Sequence, residues 1–143
     1  MLSNEQCQIL YLSPTVEGKK HDKRLADEAN YSLPKDSILV QDTGFQGFSV
    51  DGVVILQPKK KPRNAELTQD EKDLNTLISR LRVRIEHVIG SVKRYRIVKD
   101  KNRNWKEGFR DTVIETCSAL HNFRLQYRPW AYPSEHKVVC ESL

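Results

Sequence analysis

A single α/β domain is what this sequence predicts, and three observations carry that reading. Short runs of apolar and β-branched residues alternate with turn residues in the first sixty positions. A long stretch with helical apolar spacing follows. The chain has 143 residues, 38% of them apolar and 30% charged, which suits one ordinary domain with a modest core. No apolar run approaches the roughly 20 residues that span a bilayer. The N-terminus lacks the basic start and apolar stretch of a signal peptide. Cys7, Cys117 and Cys140 are an odd, widely spaced set with no CxxC, so neither a disulfide framework nor a zinc site is expected and a reducing, cytoplasmic setting is.

The elements follow in chain order. Gln6–Leu12 is a short apolar run with Ile and Tyr that ends at Ser13-Pro14, and it predicts a strand. Gly18-Lys19-Lys20 predicts a turn. Asp22 can cap a short helix over Lys23–Tyr31, with Leu25, Ala26 and Ala29 inward and Pro34 ending it. Ser37–Gln41 is apolar on successive residues and predicts a strand buried on both faces. Asp42 sits at its end, before the glycine turn Thr43–Gly47. Asp51-Gly52 is a turn signal, and Val53–Leu56 predicts a third strand. In Gln57–Asn64, Pro58 and Pro62 bracket Lys59, Lys60 and Lys61, with Arg63 beyond. That composition excludes a helix or a central strand and predicts an exposed basic loop.

Thr68 with Glu71 three residues on is a capping-box signature. The helix it opens carries Leu74, Leu77, Ile78, Leu81, Ile85, Val88, Ile89 and Val92, an apolar stripe at helical spacing. A second helix is expected over Trp105–Tyr127, with Phe109, Val113, Ile114, Cys117, Leu120 and Phe123 inward and Pro129 stopping it. Residues 1–128 thus form the expected domain, and 129–143, without clear periodicity, a loose tail.

Charge is distributed unevenly. Gln57–Arg110 holds 16 Lys plus Arg and 7 Asp plus Glu, or +9, against 8 and 12, or −4, elsewhere, which together give the overall +5. A local positive field of this kind suits a polyanion, and equally a solvated face.

Two carboxylates stand out. An acid at the carboxyl end of a buried strand, beside a glycine turn, occupies the place where open α/β sheets hold functional groups. Asp42 is such an acid, although Asp also favours turns for its own hydrogen bonds. On the long helix, at 100° per residue from Leu74, the apolar stripe lies between about −60° and +60°. Arg82 falls near 80°, Lys93 near 100° and Glu86 near 120° on the same wheel. Three charged groups therefore share one shoulder of the stripe; an Arg82–Glu86 pair one turn apart is the structural alternative. Other candidates are weaker. His21-Asp22 reads as a loop residue and a cap, or as a catalytic or metal pair. His87 falls on the polar side and is expected exposed. Cys117 and His121, four apart, read as a core Cys and a surface His in the absence of a third ligand. Tyr95 and Trp105 offer rings either for stacking on bases or for packing.

Taken in order, several motifs bear a likeness to a known family. They are Gly18-Lys19-Lys20-His21-Asp22, Gln41-Asp42-Thr43-Gly44-Phe45-Gln46-Gly47, Gln57-Pro58-Lys59-Lys60-Lys61-Pro62-Arg63 and Arg84-Ile85-Glu86-His87-Val88-Ile89-Gly90. Over roughly residues 8–125 the chain resembles a DDE-type transposase of the insertion-sequence and Harbinger-like kind. Arg82-x3-Glu86-x6-Lys93 matches the R-E-K part of the motif around the final acid; its usual leading Tyr is Ser79 here. The resemblance implies an RNase H-like fold, here only its later strands and C-terminal helices, with Asp42 as the second acid of the triad and Glu86 as the third. It implies Mg²⁺ or Mn²⁺ held by those carboxylates, and DNA as partner. Arg82, Lys93, Lys59, Lys60, Lys61 and Arg63 would then contact phosphate.

The family's first acid has no counterpart here, since no Asp precedes Asp22, and Glu5 and Glu17 stand in other contexts. The resemblance therefore implies a C-terminal fragment, inactive alone, whose strand near Ile9–Leu12 faces an open edge. Self-association or pairing with the missing N-terminal portion would follow, in the cytoplasm with the nucleoid or in a nucleus. A non-catalytic DNA-binding or regulatory derivative is the alternative, and a partner completing another polypeptide's sheet the third.

Overall fold

The long helix starts where its capping signal stands. In a computed structural model of the protein, which describes residues 1–16, 22–29, 32–100, 104, 106–132 and 140–142, helix α2 spans Gln69–Lys93. Thr68 Oγ1 accepts from the Glu71 amide (3.3 Å) and Glu71 Oε2 accepts from the Thr68 amide (3.0 Å). Twenty-five residues at 1.5 Å each give a rod about 37 Å long. Its buried stripe is Ile78, Leu81, Ile85, Val88 and Val92, with Ser91 beside it. Each of these apolar side chains, fully buried, contributes about 1.5–3 kcal/mol.

The other elements are β1 (Leu2–Ser3), β2 (Ile9–Tyr11), α1 (Asp22–Glu28), β3 (Ile38–Val40), β4 (Val54–Leu56), α3 (Arg96–Lys99), α4 (Phe109–Tyr127) and β5 (Cys140–Ser142), with a 3-10 turn at Thr43–Phe45. The strands form one mixed sheet in the order β2-β1-β5-β3-β4. β3 runs parallel to β4 and to β5; β1 runs antiparallel to β2 and to β5. Strand β3 packs on both sides, as its run of apolar residues predicts. Leu39 joins Leu2, Ala26 and Phe48 on the α1 side, whereas Ile38 and Val40 meet Leu74, Ile78 and Leu81 of α2.

Several elements depart from expectation. The first predicted strand is shorter, because Cys7 takes a left-handed φ of 64° in a turn that folds β1 back onto β2. Strand β2 does form an edge of the sheet, but its exposed backbone is not bare. Asn122 of α4 accepts from the Ile9 amide and donates to the Ile9 carbonyl, both at 2.8 Å. A side-chain amide thus takes the place of a neighbouring strand, which blunts the edge. Helix α4 begins at Phe109 rather than Trp105, since Gly108 adopts φ +70° at its N-cap.

Its buried face also differs. Cys117, Ser118, His121 and Leu125 point inward, and Leu120 and Phe123, expected inside, are 45% and 56% exposed. The stretch expected as a loose tail contributes β5 between β1 and β3, and Trp130 and Tyr132 pack on the core of Ile9, Val88, Val92 and Cys117. The predicted turn at 18–20, His21, Trp105 and the Asp22 side chain lie outside the described residues. No helix among the described residues is long and apolar enough to cross a membrane.

Candidate functional site

Two parallel strands, β3 and β4, end together, with Val40 opposite Leu56. The next residue on β3, Gln41, is buried and its amide donates to the Leu56 carbonyl. Asp42 follows in extended conformation and caps the 3-10 turn. Its Oδ1 accepts from the Thr43 amide (2.6 Å) and the Thr43 hydroxyl (3.3 Å). Its carbonyl accepts from Gln57 Nε2 at 2.7 Å, which ties the turn to the end of β4. The second carboxylate oxygen, Oδ2, accepts from Arg82 Nη2 of α2 at 3.1 Å. Asp42 therefore does the turn chemistry that the structural alternative assigns it, and it also holds a cation from the helix packed on its strand. The pair is only half-sheltered, at 46% and 33% side-chain exposure, so its contribution to stability is below about 1 kcal/mol.

Arg82 reaches the strand end because it lies on the shoulder of α2 beside the buried stripe. Glu86 is the next residue along that shoulder, one turn or about 6 Å further on. It is exposed and lines a cleft of about 580 Å³ with His87, Gly90, Arg94, Trp130 and Tyr132. Lys93, in the last turn of α2, is exposed.

The basic loop is built rather than loose. Asn75 Oδ1 accepts from the Lys59 amide (2.9 Å) and Asn75 Nδ2 donates to the Lys59 carbonyl (3.0 Å). Lys59 Nζ pairs with Glu71 at 2.9 Å, Lys61 with Glu66 at 2.7 Å, and Lys60 donates to Gln46 at 3.5 Å. The Lys59 ammonium holds the Glu71 carboxyl below its ordinary range. Lys59, Lys60 and Thr43, next to Asp42, line a second cleft of about 400 Å³. Arg63 is exposed beyond it. The six cations read from the sequence thus divide: Lys59, Lys60 and Arg82 gather around the Asp42 turn, and Lys61, Arg63 and Lys93 stand further out.

Comparison with known proteins decides the family. Residues 1–122 match the DDE superfamily endonucleases. The chain belongs to that family. A relative from Microchaete diplosiphon, described as a probable transposase for insertion sequence element IS702, is 28% identical over 111 residues, or 76% of this chain. The chain spans 39% of that relative's length. No solved structure matches it. DDE superfamily endonucleases generally use divalent metal ions. Among the described residues of this chain, no three His, Cys, Asp or Glu side chains gather to hold one. Both oxygens of Asp42 are engaged by Thr43 and Arg82. The donors described here are therefore not by themselves a metal site.

Sequence reasoning missed a second constellation. His121, expected on the surface, is 1% exposed. Its Nδ1 meets Ser91 Oγ and its Nε2 meets the Cys7 carbonyl, both at 2.9 Å. Cys7 hydrogen-bonds Tyr132, whose hydroxyl lies 2.9 Å from His87 Nδ1. Tyr95, offered for stacking, packs against the same core. The exposed place expected of His87 is observed.

Burial pushes the Tyr132 hydroxyl up to about 12 and raises the Cys7 thiol as well. Both raised values belong to the folded state, so that state resists losing these protons. The stability they contribute is complete below the unfolded thiol and phenol values, near 9 and 10, and is lost as pH rises toward 12. Urea midpoints are expected to fall from pH 8.5 to pH 11, and Tyr132→Phe is expected to flatten part of that fall. A midpoint that does not decline would contradict it.

Proposed function

We propose that this chain supplies the later strands and the C-terminal helices of an RNase H-like catalytic domain in an insertion-sequence transposase. Asp42 would be its second acid and Glu86 its third, in cleaving and joining DNA strands. The observation that most supports this reading is the Asp42–Arg82 pair. It joins the carboxylate at the end of β3 to the turn of α2 that precedes Glu86. Membership of the family and a transposase relative agree with it. A divalent ion such as Mg²⁺ or Mn²⁺, which favours oxygen donors, would need at least one donor beyond these two acids. The partner polypeptide or portion that carries that donor would complete the site.

This chain's own contribution is DNA binding and orientation. Lys60, Arg63 and Lys93 would meet phosphates as exposed cations, Lys59 and Lys61 on release from their carboxylates, and Arg82 through the guanidinium nitrogens that do not bond Asp42. Such contacts position the backbone and read no sequence.

The test is direct. The purified chain is expected to bind duplex DNA with a log–log salt slope of about −3.5 to −5.5, consistent with roughly four to six neutralised phosphates. It is expected to leave supercoiled plasmid intact with either ion. Adding the part of the relative outside the matched region should restore nicking, and Asp42→Ala or Glu86→Ala should abolish it. Nicking by the chain alone would refute the shared-site reading. Salt-dependent binding with no restoration by any complement would favour the second reading, a DNA-binding regulator derived from a transposase. The engagement of both Asp42 oxygens is the observation on that side.

A further inference from the structure

The cleft on which Glu86 sits has an inner wall that the proposed carboxylate arrangement does not use. Tyr132 and His87 lie nearly parallel, 19° apart in plane with centroids 6.0 Å apart. Trp130 stands at right angles to both, 6.4 Å from His87 at 87° and 6.4 Å from Tyr132 at 74°. The corner is rigidly backed. Trp130 rests its edge on buried His121 at 5.3 Å, and His121 is fixed by Ser91 and the Cys7 carbonyl. Arg84 lies 4.9 Å over the Tyr132 ring. The floor is Gly90, where an added Cβ would meet no atom within 4 Å, so space over the helix is open. Arg94, exposed, faces the cleft one turn beyond Gly90.

We infer that this cleft binds an unpaired nucleobase of DNA, stacked against the His87–Trp130–Tyr132 corner, with Arg94 on its phosphate. The inference rests on the proposed function, and it names a subsite within it. Three rings set as a corner, with Arg84 over Tyr132 and Arg94 on the rim opposite Glu86, offer an aromatic wall and a net positive charge to a single ligand. In a duplex the base faces are covered by their neighbours, and phosphate contacts alone need no aromatic wall. An unpaired nucleotide presents both a π-face and a charge, the two features this corner complements. Its place beside Glu86 would hold a strand end or a frayed base next to the bond under attack. Stacking on such a platform is worth about 5- to 150-fold in affinity per base.

The experiment uses the full chain without metal and three DNA probes of one sequence: a blunt duplex, a single strand, and a duplex with a short unpaired overhang. In a Trp105→Phe background the emission of Trp130 is expected to be quenched by the single strand and by the overhang, but not by the blunt duplex at equal saturation. By anisotropy, His87→Ala is expected to weaken single-strand binding about 5-fold or more and Trp130→Phe, which keeps a smaller ring, about 2- to 5-fold, and both to leave blunt-duplex binding within twofold. His87 is exposed, and Phe keeps an aromatic ring against His121, so both variants are expected to fold; their circular dichroism checks it. Equal quenching by the blunt duplex, or equal losses on every probe, would overturn the subsite while leaving DNA binding intact. Failure to bind any of the three probes would instead remove the proposed function, and the subsite with it.

Discussion

Replacing His121 by alanine is expected to lower the unfolding free energy by about 3 to 5 kcal/mol, enough to leave a small domain barely folded. The Cys7 carbonyl can only accept, so Nε2 of His121 must carry a proton and donate it. Alanine would strand that carbonyl and the Ser91 hydroxyl in the core, at about 1–3 kcal/mol for each buried group left unpaired. It would also open a cavity against Trp130, Cys7 and α2. Ser91→Ala removes only one partner and should cost about 1 kcal/mol. Because the two groups share one bond, the double variant should cost less than the sum of the singles. Urea denaturation of the four proteins measures all of this. A His121→Ala protein that melts within 1 kcal/mol of the parent would show that His121 does not organise the core.

The same histidine shows how far the sequence is legible. Helix α2 is written in local signals, a capping box and an apolar stripe at helical spacing, so its start and all of its buried face but Ser91 follow from the residues alone. Strand β3 is legible for the same reason, since apolar side chains on successive residues need cover on both faces. Helix α4 is different. Its inward positions Cys117, Ser118, His121 and Leu125 include two polar residues, of which His121 is held by Ser91 and the Cys7 carbonyl and Ser118 Oγ is buried without a hydrogen-bond partner, so hydrophobic periodicity sets the wrong phase and points Leu120 and Phe123 inward. Strands β1 and β5 have two and three residues, too short for any period to show, and their place depends on pairing across the whole chain. Within the site, the wheel placed Arg82 and Glu86 on one shoulder of α2. That Arg82 turns to Asp42 depends on which strand end the helix packs against, which no local pattern records. The aromatic corner was missed because Trp130 and Tyr132 follow a proline in a stretch without periodicity.

The Asp42–Arg82 pair gives a prediction in which stability and activity part company. If the proposed function holds, Arg82→Ala in the complemented chain is expected to reduce strand cleavage about 10- to 100-fold, the loss that follows when a partner orienting a ligand is removed. Stability should change by less than about 1 kcal/mol, because the pair is half-exposed and Asp42 keeps its bonds to Thr43. Asp42→Asn is the sharper variant. Asn caps a turn about as well as Asp does, so the 3-10 turn and its tie to Gln57 should persist. The charge and the second anionic oxygen are lost, and cleavage should fall about 100-fold or more if Asp42 is one of the acids. A purely architectural Asp42 predicts the reverse pattern: full cleavage with Asn, and equal damage to stability and activity with Ala. Measuring melting and cleavage on Arg82→Ala, Asp42→Asn and Asp42→Ala together separates the two. Arg82→Lys adds a check on geometry, because a point charge on a flexible stem does not reproduce the planar guanidinium's aim at Oδ2. It should recover DNA affinity more fully than cleavage.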